Sequence, residues 1–120
     1  MNPFRAPDFD SADLTDWGVL SLPLAQPLGA PMPHRGIQQW AAADGKTSTG
    51  TWECEPGLSR WEFTTNGEFI HILAGSMIVR PDEGAAVTLV AGDSMTFAPG
   101  WVGTWEITTT LRKVYTIFPV

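Results

Sequence analysis

From residue 35 onward, turn-forming residues divide the chain about every eight to ten positions. Glycine recurs beside proline, alanine, asparagine or an acidic residue at 43–45, 55–57, 65–67, 74–75, 81–84, 91–93 and 98–100. The segments between them are short and rich in β-branched and aromatic residues, which is typical of strands. No window of ten residues has the 3.6-residue apolar period of a helix. The chain is therefore predicted to be all-β, folded as a sandwich or a barrel.

An Asn-Gly pair at 66–67 gives the strongest hairpin signal in the chain. Both residues tolerate the positive φ that a type I′ turn requires. The flanking strands are expected at about 59–64 and 68–73. Because side chains alternate along a strand, Glu68 and His71 should then point to opposite faces. We expect His71 to pack between sheets or at a subunit contact rather than beside Glu68.

The composition indicates which partners and which location to expect. Seven basic and 13 acidic residues give a net charge of −6, and such a surface repels the phosphate backbone of nucleic acids. No apolar run approaches the ~20 residues that span a bilayer, so no membrane partner is expected. The first 14 residues lack the apolar core of a secretory signal. A single cysteine, Cys54, is typical of a reducing compartment, and we predict a cytoplasmic location.

The first 35 residues differ from the rest of the chain. Prolines at positions 23, 27, 31 and 33 favour extended backbone, although residues 11–17 are compatible with one helical turn. We therefore predict a proline-rich arm at 1–35, lying along the domain or a partner subunit, and a single barrel domain at 36–120.

Four blocks of the sequence resemble the cupin superfamily. Glu68, Gly75 and the Pro-Gly at 56–57 stand at the spacing of the first cupin motif, and "GDSMTFAPGWVGTW" resembles the second. Together with "GTWECEPG" and "RKVYTIF", they are similar to small single-domain cupins related to the cupin domain of (S)-ureidoglycine aminohydrolase. That group also includes relatives of an ethanolamine-utilisation protein. The resemblance implies a double-stranded β-helix, the cupin jelly-roll barrel, assembled as a homodimer.

The same resemblance argues against the usual cupin metal site. A metal-binding cupin uses two histidines and a glutamate of the first motif and a histidine of the second. Those positions fall here on Trp61, Phe63, Glu68 and Gly103. Of these, only Glu68 has a side chain that ligates metals, so we predict neither a metal nor another cofactor. A rearranged site that uses His71 or His34 remains open as an alternative.

A lone carboxylate inside an apolar barrel needs a partner. In the last block, Lys113 and Tyr115 share one strand face and Arg112 lies on the other, and alternation does not decide which face is inside. The resemblance favours Lys113 and Tyr115. Glu68, Lys113 and Tyr115 are therefore the candidate catalytic residues, suited to acid–base chemistry.

Aromatic residues are the candidate ligand-binding residues. Trp61 and Phe63 share a strand face, and Trp101 and Trp105 follow the Pro-Gly turn of the second motif, near the expected barrel opening. Large aromatic side chains also fill cores, so packing is the competing interpretation. Cys54 has no base close by in the sequence, and a nucleophilic role is not expected.

Three functions follow from these residues. The favoured one is binding of a small polar, nitrogen-rich metabolite in the barrel next to Glu68, with or without acid–base catalysis. A metal-dependent enzyme of the ureidoglycine aminohydrolase type, with a rearranged site, is the first alternative. A non-catalytic structural or oligomerising barrel is the second. The expected partners are a small-molecule ligand and a second copy of the chain.

Overall fold

The computed structural model describes residues 3–5 and 10–120. In these residues a 3₁₀ turn at Ser11–Asp13 precedes nine strands, and no α-helix is present. The strands are β1 (Thr15–Val19), β2 (Gln26–Pro27), β3 (Pro33–Ala41), β4 (Ser48–Cys54), β5 (Gly57–Glu62), β6 (Asn66–Pro81), β7 (Val87–Val90), β8 (Ser94–Phe97) and β9 (Val102–Pro119). The prediction of an all-β fold is confirmed. The described part of the chain contains no helix long and apolar enough to cross a membrane.

The strands pair antiparallel in one strongly curled sheet. Its order is β1-β3-β4-β9-β5-β2, and β6 pairs with β7, β8 and β9. The ladder between β6 and β9 is the longest, running from Asn66↔Pro119 to Pro81↔Gly103. The other edge of β9 pairs with β5 and then with β4. This arrangement, with β9 shared by both sides of the sheet, is consistent with a jelly-roll barrel.

The two longest strands are sharply bent. Eighteen extended residues would span about 60 Å, whereas the longest dimension of the molecule is 40 Å, so β9 cannot be straight. Its partner β6 carries register shifts around Gly75, which has a φ of 84°. A Cβ atom at this position would collide with the backbone oxygen of Thr110 on β9. Glycine is therefore required at the bend by both conformation and space.

Alternation along β6 separates residues inside the barrel from residues outside it, as the sequence predicts. Glu68, Ile70 and Ile72 are 4%, 0% and 0% exposed, whereas Phe69 is 41% exposed. The core between the sheet faces is strongly aromatic, and the rings of Trp61 and Trp105 stack with centroids 3.8 Å apart. Aromatic pairs of this kind add to the free energy gained by burial alone.

The predicted hairpin around Asn66 and Gly67 is wrong. Strand β5 pairs with β9 and β2 rather than with β6, and neither residue of the pair has a positive φ. The two ends of the connection are held by residues at opposite ends of β9, or directly before it. The Phe63 amide donates to the Trp101 carbonyl at 2.9 Å, while Asn66 pairs with Pro119. The connection therefore crosses the barrel instead of reversing in a tight turn.

The proline-rich segment contributes strands to the sheet. β1 pairs with β3, with Thr15 opposite Gly36, and β2 pairs with β5, with Gln26 opposite Arg60. The predicted extended arm is therefore not confirmed, and β3 begins at Pro33, before the expected boundary at 35/36. Residues 1–2 and 6–9 lie outside the described residues, and the division into two regions stays a prediction.

A buried carboxylate joins the 3₁₀ turn to the sheet. Glu53 on β4 is 4% exposed and accepts hydrogen bonds from Arg35, Arg112 and Ser11. Burial alone would raise the pKa of Glu53, but these hydrogen bonds outweigh it and hold the pKa below its ordinary value. Arg112 therefore belongs to the face of β9 that carries this network, opposite the face that carries Lys113.

Candidate functional site

A cavity of about 520 Å³ lies against the aromatic core. This is within the range of about 300–1,000 Å³ that is typical of small-molecule sites. Its walls come from β1, β4, β5, β6 and β9 and from residues that precede β2 or connect β5 to β6. They are Trp17, Pro23, Leu24, Trp52, Trp61, Glu62, Phe63, Thr64, Thr65, Asn66, Glu68, Lys113, Tyr115 and Ile117.

A buried ion pair forms part of the cavity wall. Lys113 on β9 lies opposite Trp52 on β4 and Ile72 on β6, and its side chain reaches Glu68. Its Nζ donates to Oε2 of Glu68 at 2.7 Å. The two side chains are 2% and 6% exposed. The predicted Lys113–Glu68 pair is thus present, and it neutralises both charges inside the barrel.

Aromatic rings surround the Lys113 ammonium. Its Nζ lies 4.5 Å from the ring centroid of Trp52, 4.7 Å from that of Trp105 and 5.6 Å from that of Trp61. Ring faces attract cations, and more strongly where water is excluded. Burial nevertheless lowers the pKa of Lys113, and the charge of Glu68 only partly offsets this.

Two polar atoms next to the contact between Lys113 and Oε2 of Glu68 have no hydrogen-bond partner within residues 3–5 and 10–120. One is Oε1 of Glu68, since Lys113 contacts Oε2, and the other is the hydroxyl of Tyr115. Burial raises the pKa of Tyr115, and the charge of Glu68 raises it further, so the hydroxyl stays protonated at neutral pH. Tyr115 lies against the backbone of Gly50, where a Cβ atom would collide with its hydroxyl. The site therefore offers an acceptor and a donor to a ligand.

The residues around Glu68 do not fit the metal set of the cupins. Trp61 and Phe63 occupy two histidine positions as mutually stacked rings, and a side chain at Gly103 would collide with the carbonyl of Arg80. A divalent cation on Glu68 would also lie close to the Lys113 ammonium, and the two positive charges would repel each other. Among the described residues, no group of three His, Cys, Asp or Glu side chains is arranged to hold a metal.

The two histidines lie apart from this pair. His71 is on the opposite face of β6 from Glu68, and its Nδ1 lies 2.7 Å from Oγ of Ser94. His34 is buried and accepts a hydrogen bond from Trp52 Nε1 at 2.9 Å. Burial lowers the pKa of His34, which favours the neutral ring that this bond requires. The rearranged metal site that the sequence left open is not supported by these positions.

The structure separates the four candidate ligand-binding aromatics. Trp61 and Phe63 line the cavity. Trp105 is fully buried behind Trp61, and Trp101 packs on Phe97 with centroids 4.9 Å apart, so neither contributes to the cavity wall. A ligand-binding role for these two stays a prediction without support from their positions.

Nine of the 14 cavity residues were not predicted, and two of them are tryptophans, Trp52 and Trp17. Trp52 was not a candidate site residue, since nothing in "GTWECEPG" indicates that it pairs with Lys113. Trp17 lies in the segment expected to form an arm, yet its ring is 5.9 Å from that of His34 and it lines the cavity. Local sequence carries no signal for either placement, because both depend on long-range strand pairing.

Comparisons with known proteins agree with this architecture. The family model described as an EutQ-like cupin domain matches residues 41–115. No curated protein matches the chain. Similar solved structures include a protein of unknown function from the DUF861 family of Pseudomonas syringae pv. tomato, with 18% identity, a TM-score of 0.72, and 87% of this chain and 43% of that one covered.

Two further structures resemble the chain. For the EutQ protein of Clostridium difficile, identity is 14% and the TM-score 0.62, with 74% of this chain and 64% of that one covered. For a predicted oxalate decarboxylase of Thermotoga maritima, identity is 19% and the TM-score 0.66, with 92% of this chain and 97% of that one covered. At these identities the likeness shows the fold alone, and the chain spans less than two thirds of the Pseudomonas and Clostridium proteins. The family match over residues 41–115 shows that the chain belongs to the EutQ-like cupin domain family.

Proposed function

We propose that the chain binds a small, uncharged, hydrogen-bonding metabolite in the cavity beside Glu68. The observation that carries this proposal is Oε1 of Glu68, a residue of the cavity wall, which accepts no hydrogen bond from the described residues. An unpaired carboxylate oxygen at a cavity wall can accept a charge-assisted hydrogen bond from a ligand N–H or O–H group. The cavity beside it argues against a barrel filled by Trp61 and Phe63.

The charge of the site favours an uncharged ligand. Lys113 already neutralises Glu68, so a second cation or anion would be buried without a counterion. Tyr115 supplies a donor for a ligand carbonyl, and the Trp61 and Phe63 rings supply flat apolar walls. Amides and ureides combine a carbonyl, N–H donors and a planar shape. The resemblance to the ureidoglycine aminohydrolase group supports the same nitrogen-rich class.

Binding is tested by calorimetry with a panel of amides, ureides, amino acids and sugars. A hydrogen bond to an ionised acceptor contributes about 1.5–3 kcal/mol, so Glu68→Gln should weaken binding about 10- to 100-fold. The control is Glu62→Gln, which changes an exposed carboxylate at the same cavity. Equal affinity of the Glu68 variant and the unchanged protein would contradict the proposal. Ligand turnover lost in the Glu68 variant would add acid–base catalysis to binding.

We also propose that the chain forms a homodimer in the cytoplasm. Every residue of the edge strand β1 is exposed, and large apolar side chains such as Leu22 and Trp40 are 67% and 56% exposed. Unpaired edges and apolar patches favour association. The free thiol of Cys54 is compatible with a reducing compartment. Light scattering that gives a monomer mass over a wide range of concentrations would contradict the dimer.

A further inference from the structure

The cavity wall contains an amine in the surroundings of a nucleophilic lysine. The chain has two lysines, Lys46 and Lys113. Lys46 is exposed in the turn between β3 and β4, whereas Lys113 is buried with its Nζ 2.7 Å from a carboxylate oxygen. Amines become nucleophiles when desolvation favours their neutral form and a base beside them takes the proton. The Lys113–Glu68 pair meets both conditions in a cavity of molecular size.

We propose that Nζ of Lys113 forms an imine with the carbonyl carbon of a small neutral aldehyde or ketone bound in the cavity. This goes beyond the proposed function, which requires reversible noncovalent binding alone. It assigns Lys113 a covalent role and Glu68 the role of the proton carrier.

The step balances with the groups that are present. Glu68 Oε2 accepts a proton from the Lys113 ammonium, and the free amine attacks the carbonyl carbon, forming a C–N bond. The carbonyl oxygen takes up the second amine proton and becomes the hydroxyl of a carbinolamine. Protonated Glu68 returns its proton to this hydroxyl, the C–O bond breaks, and water leaves. The product is a protonated imine on Lys113 beside ionised Glu68, with no oxidant or reductant required.

The site is suited to the product as well as to the attack. A protonated imine keeps the positive charge on the nitrogen, so Glu68 remains paired. The rings of Trp52, Trp61 and Trp105 lie around the same nitrogen and attract a cation in either form. A keto acid would add an anion beside Glu68 without a counterion, so the neutral carbonyl class is favoured. The lowered pKa of Lys113 supports the attack at neutral pH.

Reductive trapping tests the proposal. The folded chain is incubated at pH 7 with propanal and cyanoborohydride, which reduces an imine to a stable propyl-amine, and the label is located by peptide mass mapping. We expect Lys113 to be labelled about tenfold or more faster than Lys46, because acid–base assistance typically gives at least that factor. In urea the two lysines should label at similar rates. Lys46→Arg should leave the labelling of Lys113 unchanged.

Two results would overturn the proposal. One is a folded protein in which Lys113 labels no faster than Lys46, and the other is labelling of Lys113 only after denaturation. Glu68→Gln should slow labelling at Lys113 and leave Lys46 unaffected, with circular dichroism confirming the fold, and an equal rate at Lys113 would contradict the proton transfer. Failure here leaves amide and ureide binding untouched, because that is measured without carbonyl or reductant.

Discussion

Replacing Lys113 with methionine should leave the carboxylate of Glu68 buried without its cation. Removing one partner of a buried ion pair costs about 3–5 kcal/mol, whereas replacing both partners by uncharged groups is often close to neutral. Each single variant, Lys113→Met and Glu68→Gln, should therefore lower the free energy of unfolding by about 3–5 kcal/mol. The double variant should lose about 1–2 kcal/mol, since no charge remains buried and methionine fills a similar volume.

Urea denaturation followed by tryptophan fluorescence measures all four proteins of this cycle. In a domain of this size about 1 kcal/mol corresponds to roughly 4 °C in Tm, so the single variants should melt about 12–20 °C lower. The matched control is Arg80–Glu106, which has the same 2.7 Å N–O distance but is 45% and 40% exposed. Its coupling energy should not exceed about 1 kcal/mol. Additive effects of the Lys113 and Glu68 substitutions would refute the reasoning.

Three further predictions concern other positions. Gly75→Ala should lower the free energy of unfolding by at least about 2 kcal/mol, because φ is 84° and the new Cβ collides with Thr110; an unchanged urea midpoint would contradict this. Burial raises the pKa of Cys54 to about 12, so iodoacetamide at pH 8 should alkylate it in urea but not in the folded protein. The pKa of Glu53 is lowered in the folded protein from its ordinary value of 4.5. Its contribution to the free energy of unfolding is therefore fully present at pH values above 4.5, and it is lost as the pH falls through the folded-state pKa. Glu53→Gln should flatten that acid dependence, and an unchanged slope would exclude Glu53 as its source.

The sequence predicts those parts of the site that depend on period and local chemistry. Alternation from Glu68 to Ile72 separates buried from exposed side chains, and His71 faces away from Glu68 as expected. The absence of ligating side chains at positions 61 and 63 is visible without coordinates. The Lys113–Glu68 contact was favoured by a resemblance, since alternation alone did not distinguish Lys113 from Arg112.

The sequence-based predictions that failed concern features that depend on pairing between distant strands. The Asn66-Gly67 pair has a high local propensity for a hairpin turn. The hairpin does not form, because β9 pairs with the strands on both sides of that connection. Trp105 follows the second-motif turn closely in sequence, yet the curl of β9 turns it into the core behind Trp61. Trp17 reaches the cavity through pairing of β1 with β3, which local sequence does not specify.

The position of β9 also bears on how the protein is made. This strand supplies pairing partners for β4, β5 and β6, and it is translated after all three of them. While the ribosome synthesises the chain, those strands emerge with open edges and uncovered apolar faces, which favour aggregation. The barrel closes once residues 102–119 have left the exit tunnel. Translation products that stop before β9 are therefore expected to be clients of chaperones and proteases rather than partly folded barrels.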